Sequence, residues 1–229
     1  QRLVVNPILG AEQNFGQKLA KQLEGADDDV KWLAVELLAV YFLISRGGIS
    51  ASLKKATLKA VAPEDSPTAP GWEQVVDTMN EGIANPGVGY NINRDQQLGY
   101  LIDFCLRFKA IGDQDQQGDL LADPWRLRDF ADDVSEGIAV REMRHIILHL
   151  LRPDDFERIS SRTHKRNIVD AFAKEFLADE VTGDVDEQLL KIRNCLVDLG
   201  VKTEASGDVL DFYRAPLRAI WDPGADQAD

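Results

Sequence analysis

Apolar residues recur along this chain at three- and four-residue spacings, and the two-residue alternation of a half-buried strand is nearly absent. That period gives each of a series of helices one apolar stripe and leaves little sequence for a sheet. The predicted fold class is all-α, an irregular multi-helix bundle of about eight to ten helices. A first helix over about residues 12–23 carries Phe15, Leu19 and Leu23 on one face, with Gly25 beyond its end. Asp27, Asp28 and Asp29 then suit an N-cap and first turn, where the helix dipole favours acids. The apolar run 30–44 follows. It is too short for a bilayer span and contains Lys31 and Glu36, so it reads as a central core helix.

Downstream, Gly47-Gly48 breaks that helix and Ser50 caps the next, which buries Leu53, Leu58 and Val61. Pro63, Pro67 and Pro70 mark a loop, and any subdomain break in an otherwise single helical domain (1–229) belongs near 62–71. A short helix over 72–83 leads to the loop 85–93, dense in Gly and Asn. A helix over 94–109 follows, with Leu98, Leu101, Ile102, Cys105 and Phe108 on its apolar side. The polar run 113–119 reads as a surface loop. Asp123-Pro124 is a start signal for 125–134, and further helices are predicted over 138–151, 162–177 and 186–199. Cys105 and Cys195 form no CxxC pair and read as two buried thiols in a reducing compartment. No leader or membrane-spanning pattern is present, so a soluble cytoplasmic protein with no membrane contact is expected. The first residue is Gln1, and the expectation is a chain trimmed at its start.

A composition of 44% hydrophobic and 28% charged residues excludes wholesale disorder. The net charge of −13 argues against a generic nucleic-acid or anionic-membrane surface. It is unevenly distributed, however. Residues 141–166 hold seven cations (Arg141, Arg144, Arg152, Arg158, Arg162, Lys165, Arg166) against four acids, a local +3 that leaves −16 for the rest. Arg162, Lys165 and Arg166 fall in the first turns of their helix, where the dipole disfavours cations, so an anionic counterpart is required. Two counterparts are open: acids of a neighbouring helix, or phosphate of a ligand or DNA. The candidate phosphate- or partner-binding residues are Arg141, Arg144, His145, Arg158, Arg162, His164, Lys165 and Arg166.

No Walker A loop, HExxH, GxSxG or kinase signature occurs, and no catalytic residue is assigned. His145 and His149 are spaced i, i+4, with His164 as a conceivable third metal ligand. The surrounding arginines oppose a cation, and no metal or cofactor is assigned. A second candidate site is the loop carrying Asn85, Gly87, Gly89, Tyr90 and Asn91. Its glycines bring backbone N–H groups near a ligand and Tyr90 stacks on a ring, unless Tyr90 plugs the core and the glycines only turn the chain.

Four segments in order resemble one known arrangement. They are Asp28-Asp29-Val30-Lys31-Trp32-Leu33-Ala34-Val35-Glu36-Leu37-Leu38, then Gly87-Val88-Gly89-Tyr90-Asn91 with Gln97-Leu98. The run from Arg144-His145 to Glu157 with His164-Lys165-Arg166 follows, and last Asp211-Phe212-Tyr213 with Trp221. Together they resemble the region preceding the AAA+ module in McrB-like proteins, the NTPase subunits of modification-dependent restriction systems. The resemblance implies a fragment of a longer chain whose AAA+ motor lies beyond residue 229. It also implies a homo-oligomeric ring, a nuclease partner and an antiviral defence role. In that family the N-terminal region selects the target, such as modified DNA. The helical sequence here departs from the family's methylcytosine-binding domain, so no base-flipping pocket carries over. The leading expectation is a non-catalytic recognition or adaptor domain contacting DNA phosphate or a partner subunit. The rivals are a protein-interaction or oligomerisation module with no nucleic-acid role, and a standalone hydrolase using the histidines and carboxylates.

Overall fold

Helix starts are set by side chains that accept the free N–H groups of a first turn. Asn14 and Gln17 form a reciprocal capping box, both bonds 3.0 Å, that opens α1 (Phe15–Gln22). Ser50 accepts from Leu53 N at 3.2 Å to open α3 (Ala51–Val61), which follows the core helix α2 (Asp28–Ile44). Asp113 and Asp123 do the same for α7 (Gln114–Ala122) and α8 (Pro124–Val134). The computed structural model describes residues 14–46, 48–80, 82–84, 86–134, 142–177, 183–203 and 210–224. Among these residues the architecture is all-α: twelve α-helices, one 3-10 turn (Ser66–Thr68) and no strand. No helix among them is long and apolar enough to cross a membrane.

The chain divides into two compact units, Gln1–Ile147 and Leu148–Asp229; the division falls inside α9 (Glu142–Leu151), and the proline-rich stretch 62–71 lies within the first unit. In the first unit α2 packs against α3 and α6 (Arg94–Ala110), and α1 lies on α3. Leu38, Tyr41, Phe42 and Leu58 are almost wholly removed from water at this junction. The last turn of α2 leaves carbonyls that need donors. Ile83 N and Ala84 N donate to Leu43 O and Ile44 O at 3.2 and 2.8 Å. The buried ammonium of Lys54 donates to Phe42 O at 3.0 Å and to Ser45 O. Burial holds the Lys54 ammonium below its ordinary pKa.

The helix count exceeds the expected range because three short segments fold where periodicity is too brief to read. The polar run 113–119, expected as a loop, lies largely within α7: Asp113 caps it and Leu120 anchors it. Five residues of the expected loop 85–93 form α5 (Val88–Ile92), pinned by Tyr90, and the tail closes with α12 (Leu217–Trp221). The short helix after Gly71 is α4 (Trp72–Thr78). Cys105 is exposed and Cys195 half-exposed, which corrects the expectation of two buried thiols. The buried face of α6 runs through Gln97, Leu98, Tyr100, Leu101 and Phe104, and Cys105 lies one residue, about 100° of helix, past Phe104.

The second unit is built on α10 (Arg162–Phe176), which packs against α11 (Val185–Asp198) and α12. Ile168, Phe172, Leu189, Ile192, Phe212 and Trp221 form its core. Trp221 donates its indole N–H to Phe212 O at 2.6 Å, so the one polar atom of that ring is satisfied inside the core.

Candidate functional site

The basic segment was the strongest sequence feature, and four of its seven cations, Arg144, Arg152, Arg158 and Lys165, meet carboxylates of the protein itself. Arg141 lies outside the described residues. Arg144 is buried and forks onto Asp132 of α8, Nε to Oδ1 at 2.8 Å and Nη2 to Oδ2 at 3.0 Å. Its Nη1 donates to Nδ1 of the buried His145 at 2.8 Å. This bidentate arrangement uses the guanidinium plane as fully as a bound phosphate would. Both residues are therefore closed to a ligand.

In the second unit the same pattern repeats. Arg152 pairs with Asp155 and Arg158 with Asp211, each at 2.7 Å. Lys165 is fully buried on the inner face of α10, its Nζ 2.5 Å from Oδ1 of Asp186 on α11, whose side chain is 1% exposed. Lys165 was expected to face phosphate. It points inward because Ile168, Val169 and Phe172, three, four and seven residues on, define the buried stripe of α10. Glu157, also buried, meets Arg193 of α11 at 3.1 Å, and Arg193 reaches the carbonyl of Asp154 as well. Burial pushes the Glu157 carboxyl up to about 7, against the pull of Arg193 and Lys165 and with a further push from Asp211. Burial also lowers His149, which donates Nδ1–H to Phe156 O at 2.8 Å; Arg158, Lys165 and Arg193 add to that lowering.

Two cations of the segment remain in solvent. Arg162 and Arg166 are exposed and have no ion-pair partner among the described residues. Between them on α10, His164 is half-buried, with Nδ1 2.9 Å from the Tyr213 hydroxyl and its ring against Trp221 at 5.2 Å. Burial lowers His164 and raises the Tyr213 phenol, so Tyr213 keeps its proton and can donate it to a neutral imidazole. Each of the three histidine rings thus has a polar partner within the protein. Among the described residues no group of three or more His, Cys, Asp or Glu side chains is placed to hold a metal ion.

The glycine-rich candidate is organised around its tyrosine. Tyr90 is fully buried and stacks on Tyr41, ring centroids 4.5 Å apart and 7° from parallel. Each phenol donates to the other residue's carbonyl, Tyr90 to Tyr41 at 2.9 Å and Tyr41 to Tyr90 at 3.2 Å. No face of Tyr90 is left for a base or sugar ring, which settles the two sequence alternatives in favour of the core plug. Asn85 lies outside the described residues, and Gly87 supplies the positive φ of 86° before α5. Gly89 sits close to the Glu142 carboxylate, where an added Cβ would lie 3.1 Å from Oε1. Asn91 is half-buried, and its Oδ1 makes no hydrogen bond among the described residues.

Sequence reasoning missed the partners: Asp132, Asp186, Asp211 and Arg193 lie outside the basic segment, and no spacing rule singles them out. It also missed Gln97, buried in α6, whose amide accepts from Met143 N at 2.9 Å and donates to Glu142 at 3.1 Å, holding the start of α9. Comparison with protein-family models, with curated proteins and with solved structures found no match.

Proposed function

We propose that this chain is a non-catalytic helical adaptor domain that engages a protein partner, and that it stands beside the AAA+ motor of an McrB-like NTPase, as the sequence resemblance implies. One observation carries the choice of a protein over DNA. Arg144, Arg158 and Lys165, central to any phosphate-binding face, are each closed on a carboxylate of the same unit. Duplex binding draws its affinity from several exposed cations meeting successive phosphates. Here two candidates, Arg162 and Arg166, stay in solvent on a chain of net charge −13. With Arg144, Arg158 and Lys165 committed to internal carboxylates on a chain of net charge −13, the surface of this protein suits a partner of positive charge. The resemblance supplies the class of that partner, a nuclease subunit acting with a ring of motor domains in the cytoplasm.

The test pairs two measurements on wild type and R162E/R166E. The expected result is co-purification with the nuclease subunit of an McrB-like restriction system, unchanged by the double substitution, and no salt-sensitive binding of a 30-base-pair duplex at about 50 mM salt. Duplex binding that the double substitution abolishes would restore the DNA reading. Failure of wild type to hold the nuclease subunit would overturn the adaptor reading.

A further inference from the structure

We propose that the first unit holds a binding site for a small phosphate-class anion, free phosphate or a phosphate monoester, between the end of α2 and the start of α3. The site is independent of the adaptor reading and of Arg162 and Arg166, which belong to the other unit. A cavity of about 480 Å3 opens there. Arg46, Ser50, Ala51, Lys54 and Asn80 line it, and no acid among the described residues does. Arg46 is exposed and has no ion-pair partner among the described residues. A cavity that gathers two cations and no carboxylate is electropositive, on a chain whose net charge is −13.

Lys54 is what points to an anion. Two lysines are buried among the described residues, Lys54 at 2% exposure and Lys165 at 0%. Buried charges are ordinarily paired with an opposite charge. Lys165 has Asp186, whereas Lys54 has no carboxylate, only Phe42 O at 3.0 Å and Ser45 O. Those carbonyls close the C-terminal end of α2, whose dipole amounts to about half a negative charge. The remainder of the lysine charge is uncompensated, and the third N–H of its ammonium has no acceptor among the described residues. Burial lowers the Lys54 pKa, and no carboxylate opposes that lowering.

The start of α3 adds donors to the same cavity. Ser50 Oγ takes Leu53 N–H and Ser50 O takes Lys54 N–H, which leaves the N–H groups of Ala51 and Ser52 with no partner among the described residues. Free N–H groups at a helix start favour an anion, and here they share a cavity with a buried, uncompensated cation. A tetrahedral oxyanion has acceptors on every side, so it can meet Lys54, the first turn of α3 and Arg46 at once; a carboxylate has two oxygens in one plane. No aromatic side chain lines the cavity to stack on a base, so the occupant is a small phosphate compound and not a nucleotide.

Isothermal titration calorimetry at about 20 mM salt tests this, with inorganic phosphate in one arm and glycerol phosphate in the other. Wild type is expected to bind at least one of them with a Kd of about 1 mM or lower. Equal affinities, or a preference for inorganic phosphate, assign the site to the free anion; a preference of about tenfold for the glycerol ester assigns it to a monoester. A51P is the decisive variant. Ala51 is the first residue of α3, where proline is tolerated, and Ser50 before it is already extended, with ψ 151°. The substitution removes a donor the helix does not use and sets a ring in its place. It is expected to weaken binding about tenfold, as is R46Q. K109Q, at an exposed position on α6, makes the same change in charge as R46Q and is expected to leave the affinity within about twofold. K54M is expected to abolish binding where circular dichroism shows it folded, and A51P and R46Q decide the matter where it is not. No saturable wild-type binding below about 10 mM of either ligand overturns the site, as does A51P or R46Q binding within about twofold of wild type. Circular dichroism on each variant confirms that the helices are retained.

Discussion

Lys165→Met separates a structural cation from a phosphate clamp. Lys165 is fully buried, and the Asp186 side chain 2.5 Å away is 1% exposed. Methionine fills most of the lysine volume, so the perturbation is the loss of one charge opposite a buried carboxylate. Breaking a buried pair in this way costs about 3–5 kcal/mol, because the remaining charge is uncompensated. The protein can limit that cost by protonating the orphaned aspartate. From an ordinary value near 3.9, protonation at pH 7 costs about 4 kcal/mol at 1.36 kcal/mol per unit, and at pH 5 about 1.5 kcal/mol. The K165M penalty should therefore be close to 4 kcal/mol at pH 7 and shrink by more than half at pH 5. Peptide-resolved hydrogen exchange reads this directly as protection lost in α10 and α11, about two to three decades at pH 7. K165M/D186L should recover most of it, since an apolar pair has no desolvation cost. A loss of less than tenfold in K165M, or the same loss at pH 5 and pH 7, would refute the buried-pair argument.

Glu157 titrates in the opposite sense to most carboxylates. Its folded pKa is raised from 4.5 to about 7, so the stability it contributes is full below pH 4.5 and is lost as pH rises through 7. The loss is on the order of 3 kcal/mol. His149, held below 6.5, opposes it by favouring the folded state above that pH. Urea midpoints between pH 5 and 8 should show E157Q gaining on wild type as pH rises; parallel profiles would sink the assignment. Gly82→Ala places a Cβ 2.2 Å from the backbone C and O of Ser45, which no rotamer relieves. It should cost about 3 kcal/mol, whereas Gly112→Ala, whose Cβ would meet only Ala110 O at 3.9 Å but whose φ is 71°, should cost about 1–2 kcal/mol. Thermal melts of the two variants compare them, and equal shifts in Tm would contradict the close approach.

The legible part of the fold was the part decided locally. The run 30–44 is apolar on nearly every face, and α2 is accordingly contacted by helices on more than one side. Ser50 and Asp123 announce helix starts because a cap needs only the next few residues. The period fails where a polar residue is buried for a tertiary reason. Gln97 looks like a surface residue of α6, yet it is fully buried because both ends of its amide meet Glu142 and Met143, more than forty positions away. Cys105 looked buried for the converse reason: apolar spacing shows that a helix has a core-facing side, but the neighbouring helices choose which side is covered.

Charge is harder to read than hydrophobicity because its sum along the chain is not its sum in space. Residues 141–166 carry +3, and that surplus suggested a basic face. Their partners lie 12, 21 and 53 positions away, at Asp132, Asp186 and Asp211. Arg193 joins from outside to meet Glu157. Counting these partners, the surplus falls from +3 to +1. Of the three helix-start cations Arg162, Lys165 and Arg166, only Lys165 meets an anion among the described residues, Asp186 of α11; Arg162 and Arg166 stay in solvent without one. A helix-start cation that is buried needs a counter-charge, from a ligand or from the next helix, and for Lys165 the packing of α11 on α10 supplies it. The exposed Arg162 and Arg166 are where the two readings still differ in consequence, which is why their charge reversal is paired with the nuclease and duplex measurements.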